Sequence, residues 1–469
     1  MSAAALPADL GIQRLVDNAR SVQPLVASWT QERVDSVVAA LAWSAFKDDV
    51  AVHLSRMAVE ETGFGCFEDS YTRHRQRVLG VMRDLHGVAT VGCIENCPER
   101  GLRKIAKPLG LIAALTPATA PVAGVVVNAL MMLKTRNVVI FTPNPGASQT
   151  VGQTVLLLQD ALEKVGAPRH AIQAVAAPTR ESAGALMRAA DLVVAAGGEG
   201  VVRRAYASGR PAYGAGVGNA VVTLDETADL EDAAQRIIAG KAFDNGTSCS
   251  SESSLVVERS VYTRLIALLR QHGAHLCNAD EAAKLRQTVW PRDATVSRYV
   301  VGKSAENIAT QSGFQVPAGT RVLMAEGDDA IERDTLAGEK ISPVLGLWQY
   351  DGPIENAIRI VKRLLSRRGL GHSSGVYSRL PENINRMSEA LNVGRIMVNQ
   401  STGFGNTGSD DNGMPVTVVL SCGTWGGSSS SENMNWRHLL NYTWVSEVIS
   451  RRRPDADELF RDHWAQYGK

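Results

Sequence analysis

The chain has 469 residues, more than a single hydrophobic core supports, so two or three domains are expected. Hydrophobic residues make up 45% and charged residues 21%, a globular balance that excludes wholesale disorder. Lys plus Arg is 49 against 48 for Asp plus Glu, and the formal charge of +1 leaves no global field to draw nucleic acid or an anionic membrane.

The N-terminal MSAAALPADLGIQRLVDNAR has no basic segment followed by an apolar run, so no secretory signal is expected and the protein reads as cytoplasmic. The first ninety or so residues read as helices, with apolar residues three and four apart over Val34–Lys47 and Val50–Gly63. The basic clusters Arg73–Arg77 and Arg451–Arg453 read as solvated helix faces or tails. Six cysteines are too sparse for a disulfide framework, and Cys93 and Cys97 have no second Cys/His pair at zinc-finger spacing, so no metal is expected there. Leu109–Leu133 is uncharged and nearly long enough to span a bilayer. Pro117 and Pro121 break it, and Thr116, Thr119 and Asn128 interrupt it, so a strand, a turn and a buried helix are expected instead.

From there the pattern alternates. Leu109–Leu115 reads as a buried strand, Pro121–Thr135 as a helix, Val138–Thr142 as a strand and Ala147–Val165 as a helix. Strand and helix then repeat through Ala171–Ala176, Glu181–Ala189, Leu192–Ala196, Ala220–Leu224 and Leu230–Phe243. Continuously apolar strands alternating with helices mean a parallel sheet covered on both faces. A second such region follows Cys249, with strands at Ser254–Glu258, Val344–Gln349, Gly375–Tyr377 and Arg395–Val398. Its helices fall at Val261–Gln271, Ile354–Leu365 and Ile384–Leu391. The domain junction is therefore expected near Cys249, where active sites favour such junctions. Gly403–Ser431, rich in Gly, Ser, Asn and Asp, reads as a long structured loop.

Two features carry chemistry. In Phe243-Asp-Asn-Gly-Thr-Ser-Cys249-Ser-Ser-Glu-Ser a cysteine follows a turn and precedes a strand, with small neighbours that admit a substrate. A thiolate so placed attacks a carbonyl, although a cysteine packed in a small-residue loop fits the same residues. Ala195-Ala-Gly-Gly-Glu-Gly200 follows a strand and opens a helix, a place where a backbone approaches a dinucleotide. A simple tight turn fits it equally, as it does the glycine-rich stretch Gly209–Gly218.

Collinear segments sharpen this reading. They are Glu61-Thr-Gly63, Lys107-Pro-Leu-Gly110, Thr116-Pro-Ala-Thr119, Leu133-Lys-Thr-Arg-Asn137, Ala196-Gly-Gly198, Phe243-Asp-Asn-Gly246 with Cys249, Glu339-Lys-Ile-Ser-Pro343, Gly371-His-Ser373, Gly394-Arg-Ile-Met-Val-Asn399 and Cys422-Gly-Thr-Trp-Gly-Gly427 through His438-Leu-Leu-Asn441. Across about Glu60 to Val445 the chain resembles the CoA-acylating branch of the aldehyde dehydrogenase superfamily. That branch includes acylating sulfoacetaldehyde dehydrogenases and the aldehyde half of bifunctional aldehyde–alcohol dehydrogenases.

The resemblance implies two doubly wound α/β domains plus a small oligomerisation β-element. Residues 1–246 would bind the dinucleotide, with 98–108 as an oligomerisation hairpin. Residues 247–413 would be catalytic, and 414–469 would return for oligomerisation as a homodimer or homotetramer. Cys249 aligns with the nucleophile that forms a thiohemiacetal and then a thioester. Glu339 matches the carboxylate that holds the nicotinamide ribose. Thr116, Pro117, Thr142 and Gly198 fall at the cofactor, NAD or NADP, since no acidic residue between Pro143 and Gln149 would repel a 2′-phosphate. His372 is a candidate to assist the acceptor thiol, against a purely structural histidine.

Hydrolytic relatives carry a Glu-Leu-Gly-Gly segment whose Glu activates water. Here the stretch Gly214-Ala-Gly-Val-Gly-Asn219 has no carboxylate, which favours coenzyme A as acceptor. Ala120 replaces an Asn that stabilises the oxyanion in acylating relatives; Thr119 or the Cys249 N–H would have to substitute. The expected activity is reversible oxidation of a short aldehyde, sulfoacetaldehyde among the candidates, to an acyl-CoA. The alternatives are a hydrolytic dehydrogenase releasing a free acid and a catalytically impaired, nucleotide-binding paralogue.

Overall fold

The computed structural model describes residues 8–292, 295–450 and 453–469. Part of the basic run at 451–453 therefore lies outside the described residues. Four helices open the chain: α1 (Ala8–Ala27), α2 (Gln31–Phe46), α3 (Asp48–Thr62) and α4 (Phe67–Leu85). A hairpin follows, β1 (Gly92–Cys97) and β2 (Leu102–Pro108). Then come β3 (Leu111–Thr116), α5 (Pro121–Lys134), β4 (Val138–Pro143), α6 (Ser148–Lys164), β5 (Ile172–Ala174), α7 (Arg180–Ala189), β6 (Leu192–Ala195), α8 (Glu199–Tyr206) and β7 (Ala212–Gly214).

The second α/β region runs β8 (Ala220–Leu224), α9 (Leu230–Ala242), β9 (Glu252–Glu258), α10 (Arg259–Gln271), β10 (Ala274–Leu276), α11 (Ala279–Val289), α12 (Ala305–Gln311) and β11 (Val322–Glu326). It continues through β12 (Val344–Tyr350), α13 (Ile354–Arg367), β13 (Ser374–Tyr377), α14 (Pro381–Ala390) and β14 (Ile396–Val398). The short α15 (Thr402–Gly405), β15 (Leu440–Ser446) and α16 (Ala456–Tyr467) complete it. Among the described residues no helix is long and apolar enough to cross a membrane, and Leu109–Leu133 is indeed a strand, a turn and a buried helix.

The strands form three sheets. A parallel five-stranded sheet has the order β5-β4-β3-β6-β7, so the chain starts at the centre, winds outward one way and returns to wind the other. The reversal leaves a crevice at the carboxyl ends of β3 and β6. A parallel seven-stranded sheet has the order β10-β11-β12-β9-β8-β13-β14, with separate apolar clusters on its two faces. Val221 and Val256 serve one face, Val222 and Leu255 the other, as the two-residue strand period requires. The third sheet, β1-β2-β15, is antiparallel and small.

Two boundaries differ from expectation. β8 pairs with β9 and β13, so the chain changes sheets at 215–219 rather than at 246. Local pattern could not show this, because buried parallel strands read alike whichever sheet they join. The hairpin also begins at Gly92 rather than 98, and its third strand comes from the far C-terminal return. Val416, Val419, Met434 and Leu439 of that return pack into the core of the five-stranded sheet.

Leu133-Lys-Thr-Arg-Asn137 is the weld of this first region. Lys134 is buried and paired with Asp35 of α2. Arg136, at φ 60°, donates to the Ala27 and Ala106 carbonyls at 2.8 and 2.9 Å. Asn137 Oδ1 accepts the N–H groups of Leu109 and Gly110 at 2.7 and 2.9 Å, and its Nδ2 donates to Leu439 O at 2.8 Å. Asn137→Ala strands two backbone donors at the start of β3 and should cost about 2–4 kcal/mol. A lowered urea midpoint with the far-UV circular dichroism of the folded protein retained in the absence of urea is the expected reading.

Candidate active site

The segment before Cys249 is strained and held from outside. After α9 the chain passes through Asp244 (φ 52°) and Asn245 (φ 53°), left-handed conformations that non-glycine residues adopt at a cost of about 1–3 kcal/mol each. The Asp244 N–H donates to Asp69 Oδ2 at 2.6 Å. Its carboxylate accepts the Cys66 N–H at 3.2 Å and the Thr247 hydroxyl at 2.7 Å, and pairs with Arg73. Asn245 Nδ2 donates to the carbonyls of Gly65 and Gly302 at 3.3 and 3.0 Å. Arg77 donates to the Thr407 and Gly408 carbonyls at 2.7 and 2.9 Å. The Arg73–Arg77 cluster is therefore not the solvated face expected from the sequence: α4 uses it to clamp the turn before Cys249 and the loop after α15. Partners so distant in sequence leave no local signal.

Cys249 lies at the amino end of β9, half-buried. Around it stand groups from the amino ends of other strands of the same sheet: Glu339 before β12, Gly218 before β8 and Arg395 before β14, with His372 before β13. The Gly218 backbone packs directly on Cys249, for a Cβ at 218 would fall 2.0 Å from the Cys249 carbonyl oxygen. The Gly218 N–H donates to Glu339 Oε1 at 3.0 Å. His372 is fully buried and reaches the site through others. Its Nδ1 bonds Ser373 Oγ at 2.8 Å, and Asn406 Nδ2 donates to Ser373 Oγ at 2.9 Å and to Ser250 O at 3.5 Å.

Burial pushes the Cys249 thiol up to about 12, and the Glu339 carboxylate and Cys422 add to that; Ser250 and Arg395 oppose it. Burial also raises Glu339 to about 7, against the Gly218 N–H and nearby cations. His372 is pushed down to about 3 by burial and by Arg395, so its imidazole is neutral at physiological pH; its Nε2 has no partner among the described residues. Arg395 is itself buried, with Nη2 donating to Ser431 O at 3.2 Å and to Ser421 O, while Nε and Nη1 have no partner among the described residues. Its charge is the fixed positive element of the site, and the sequence reading did not single it out.

The dinucleotide candidates gather on the other sheet. Thr116 ends β3, and Thr142 lies beside it in β4 opposite Leu115. Both hydroxyls are buried and have no hydrogen-bond partner among the described residues. Pro117 follows Thr116 into the turn before α5. Gly198 caps α8, which follows β6, with no side-chain cap and open space where a Cβ would stand. A polar ligand across these strand ends would satisfy both hydroxyls and the free α8 N–H groups. A cleft of about 410 Å³ opens between α8 and the Gly216–Val217 segment, bordered by Arg203, Tyr206, Arg368 and Trp425.

This two-sheet arrangement has a match in known proteins. The sequence model of the aldehyde dehydrogenase family matches residues 8–414. The chain belongs to the aldehyde dehydrogenase family. It is 38% identical over 98% of its length to an acylating sulfoacetaldehyde dehydrogenase of Bilophila wadsworthia, covering 99% of that protein. It is 39% identical to an acetylating succinate-semialdehyde dehydrogenase of Clostridium kluyveri, over 96% of this chain and 99% of that one. An acetylating aldehyde dehydrogenase of Geobacillus thermoglucosidasius superposes with a TM-score of 0.91 at 32% identity, covering 96% of this chain and 98% of that one.

A thiol of raised pKa is slow to react at rest. Alkylation of Cys249 by iodoacetamide should speed up about tenfold per pH unit from 7 to 10. Glu339→Gln removes the nearby negative charge and should raise the rate at pH 8; a slower rate would contradict the assigned electrostatics. Asp244→Asn loosens the strained turn and should lower kcat by at least about tenfold with KM for the cofactor little changed. Steady-state kinetics with far-UV circular dichroism as a folding control checks this.

Proposed function

We propose that this chain is a CoA-acylating aldehyde dehydrogenase that oxidises a short aldehyde through a Cys249 thioester. The observation that carries this reading is the segment 214–219, where hydrolytic relatives keep their water-activating carboxylate. A Cβ at Gly214 would meet the Val202 side chain at 2.6 Å, one at Gly216 would meet Cys422 Sγ at 2.5 Å, and one at Gly218 the Cys249 carbonyl. The segment carries no carboxylate, and its glycines have no room for a side chain. Without a base, water attacks a thioester slowly, whereas a thiol is far more acidic and competes well near neutral pH.

The Cys249 S–H bond breaks, its proton passes to solvent, and the sulfur adds to the aldehyde carbon while the carbonyl π pair moves onto oxygen. Hydride loss from the resulting thiohemiacetal gives the thioester, and the coenzyme A thiolate displaces Cys249 to release acyl-CoA. A nicotinamide dinucleotide, when bound, accepts the hydride. Thr116, Pro117, Thr142 and Gly198 would hold it at the carboxyl ends of β3, β4 and β6, and Glu339 would orient the nicotinamide ribose. His372, neutral and fully buried, serves in this reading to order Ser373 and Asn406 behind Cys249. Its lowered basicity supports that role over proton abstraction from the acceptor thiol.

Both relatives are named for aldehydes that carry a second, anionic group, which supports an anionic short aldehyde as substrate. The β1-β2-β15 sheet, with Trp444 exposed, is read as the contact of a homodimer or homotetramer of a cytoplasmic enzyme. Ala120 favours the impaired-paralogue reading: it caps α5 with no side-chain hydrogen bond to offer an oxyanion.

Acyl-CoA should form from NAD or NADP, CoA and one of sulfoacetaldehyde, succinate semialdehyde, acetaldehyde or propionaldehyde, with turnover collapsing when CoA is withheld. Full turnover to free acid without CoA would overturn the acylating reading. A stoichiometric burst of NAD(P)H that Cys249→Ala abolishes separates a live enzyme from an impaired one. Ala120→Asn should raise kcat by about tenfold or more if oxyanion stabilisation limits the rate.

A further inference from the structure

Away from the active site, at the edge of the seven-stranded sheet, three ligand-type side chains converge. His275 lies in β10, Cys277 follows it, and Glu281 lies in the first turn of α11. One ligand atom from each lies within 4.8 Å of the others. A tetrahedral zinc site with bonds of 2.0–2.3 Å has ligand–ligand edges of about 3.3–3.6 Å, so sub-ångström side-chain adjustments close this triangle around an ion. His275 Nε2 and Glu281 Oε2 already stand 3.0 Å apart.

The surroundings support the triangle. Cys277 is buried, and its N–H donates to Met324 O of β11 at 2.8 Å, which fixes the backbone. Glu281 Oε2 also accepts the Asn278 N–H at 3.0 Å in a capping box, while Oε1 stands outside those two bonds. The His275 ring stacks on Phe314 with an interplanar angle of 28°, so its tilt is set by the core. His, Cys and carboxylate together are the donor set of a borderline-soft divalent ion, not of calcium or magnesium.

We propose that His275, Cys277 and Glu281 form a binding site for a divalent transition-metal ion of the zinc type, clipping β10 to α11. On binding, the Cys277 S–H bond breaks, its proton passes to solvent, and a metal–sulfur bond forms. Neither redox change nor co-reactant is involved. Three protein ligands leave a fourth position for water.

Cobalt(II) is the probe, added to the chelator-treated full-length protein. One equivalent should produce visible bands of a tetrahedral ion and a near-ultraviolet thiolate-to-cobalt charge-transfer band, and zinc(II) should bleach both, since it binds such sites more tightly. Cys277→Ser should remove the charge-transfer band. His275→Gln should weaken cobalt binding at least about tenfold, within the range of lost metal-site partners. Cys249→Ala and Cys93→Ser should leave the band in place, and the thermal midpoint of each variant confirms that it is folded. Absence of a thiolate band in the parent protein, or its survival in folded Cys277→Ser, overturns the proposal.

Discussion

The backbone of Gly218 lies so close to Cys249 that a single added methyl would collide with the cysteine's carbonyl oxygen. That approach joins the two α/β regions of the molecule at the proposed nucleophile. Gly218 belongs to the short segment by which the chain leaves the five-stranded sheet and enters the seven-stranded one. The same residue donates its N–H to Glu339. Sulfur, carboxylate and the junction between sheets are thus tied to one another through a residue with no side chain, and much of the site's geometry follows from that contact.

Its other anchor is electrostatic. Asp244 sits almost buried in a strained turn, and α4 supplies both the guanidinium that neutralises it and the carboxylate of Asp69 that holds its N–H. Removing a charge from such a pair leaves the other uncompensated, which is why buried pairs resist change even where their net stabilisation is small. Inside the site the balance tilts against ionisation. Burial raises Cys249 and Glu339 and lowers His372, leaving Arg395 as the charge that favours a thiolate. Such a cysteine is protected from adventitious chemistry at rest, and its reactivity depends on where substrate and cofactor place their charges and dipoles.

Much of the fold was legible in the sequence because it rests on local periodicity. Val138–Pro143 and Leu192–Ala195 are continuously apolar, and Pro121 opens a helix, so strands and helices fell within a few residues of their observed ends. The stretch from about 272 to 343 was not legible: β10 has only three residues, and Val322–Glu326 stands between loops that carry little pattern. Sheet membership was equally hidden. Nothing in Ala220–Leu224 says that it pairs with β9 and β13 rather than with β7, since each of these strands is apolar and buried. Of the site, Cys249 was marked by its small neighbours and its family segment. Arg395, the clamp by Arg73 and Arg77, and the His275–Cys277–Glu281 triangle depend on partners or roles that spacing alone did not reveal.

The sequence by itself determined the alternation of strands and helices, the cysteine at the start of a strand, and the glycine segment without a carboxylate. These are properties of residue type and near-neighbour spacing, which the backbone reads within a few residues. Tertiary structure decided which strands share a sheet, which charges are buried together, and that Gly218 should meet Cys249 and Glu339. Those outcomes depend on packing between residues 31 and 121 positions apart in the chain, as the hydrogen bond from Gly218 to Glu339 and the contact from Gly218 to Cys249 show. Free energies of close approach and desolvation act on that scale, and no local pattern records them.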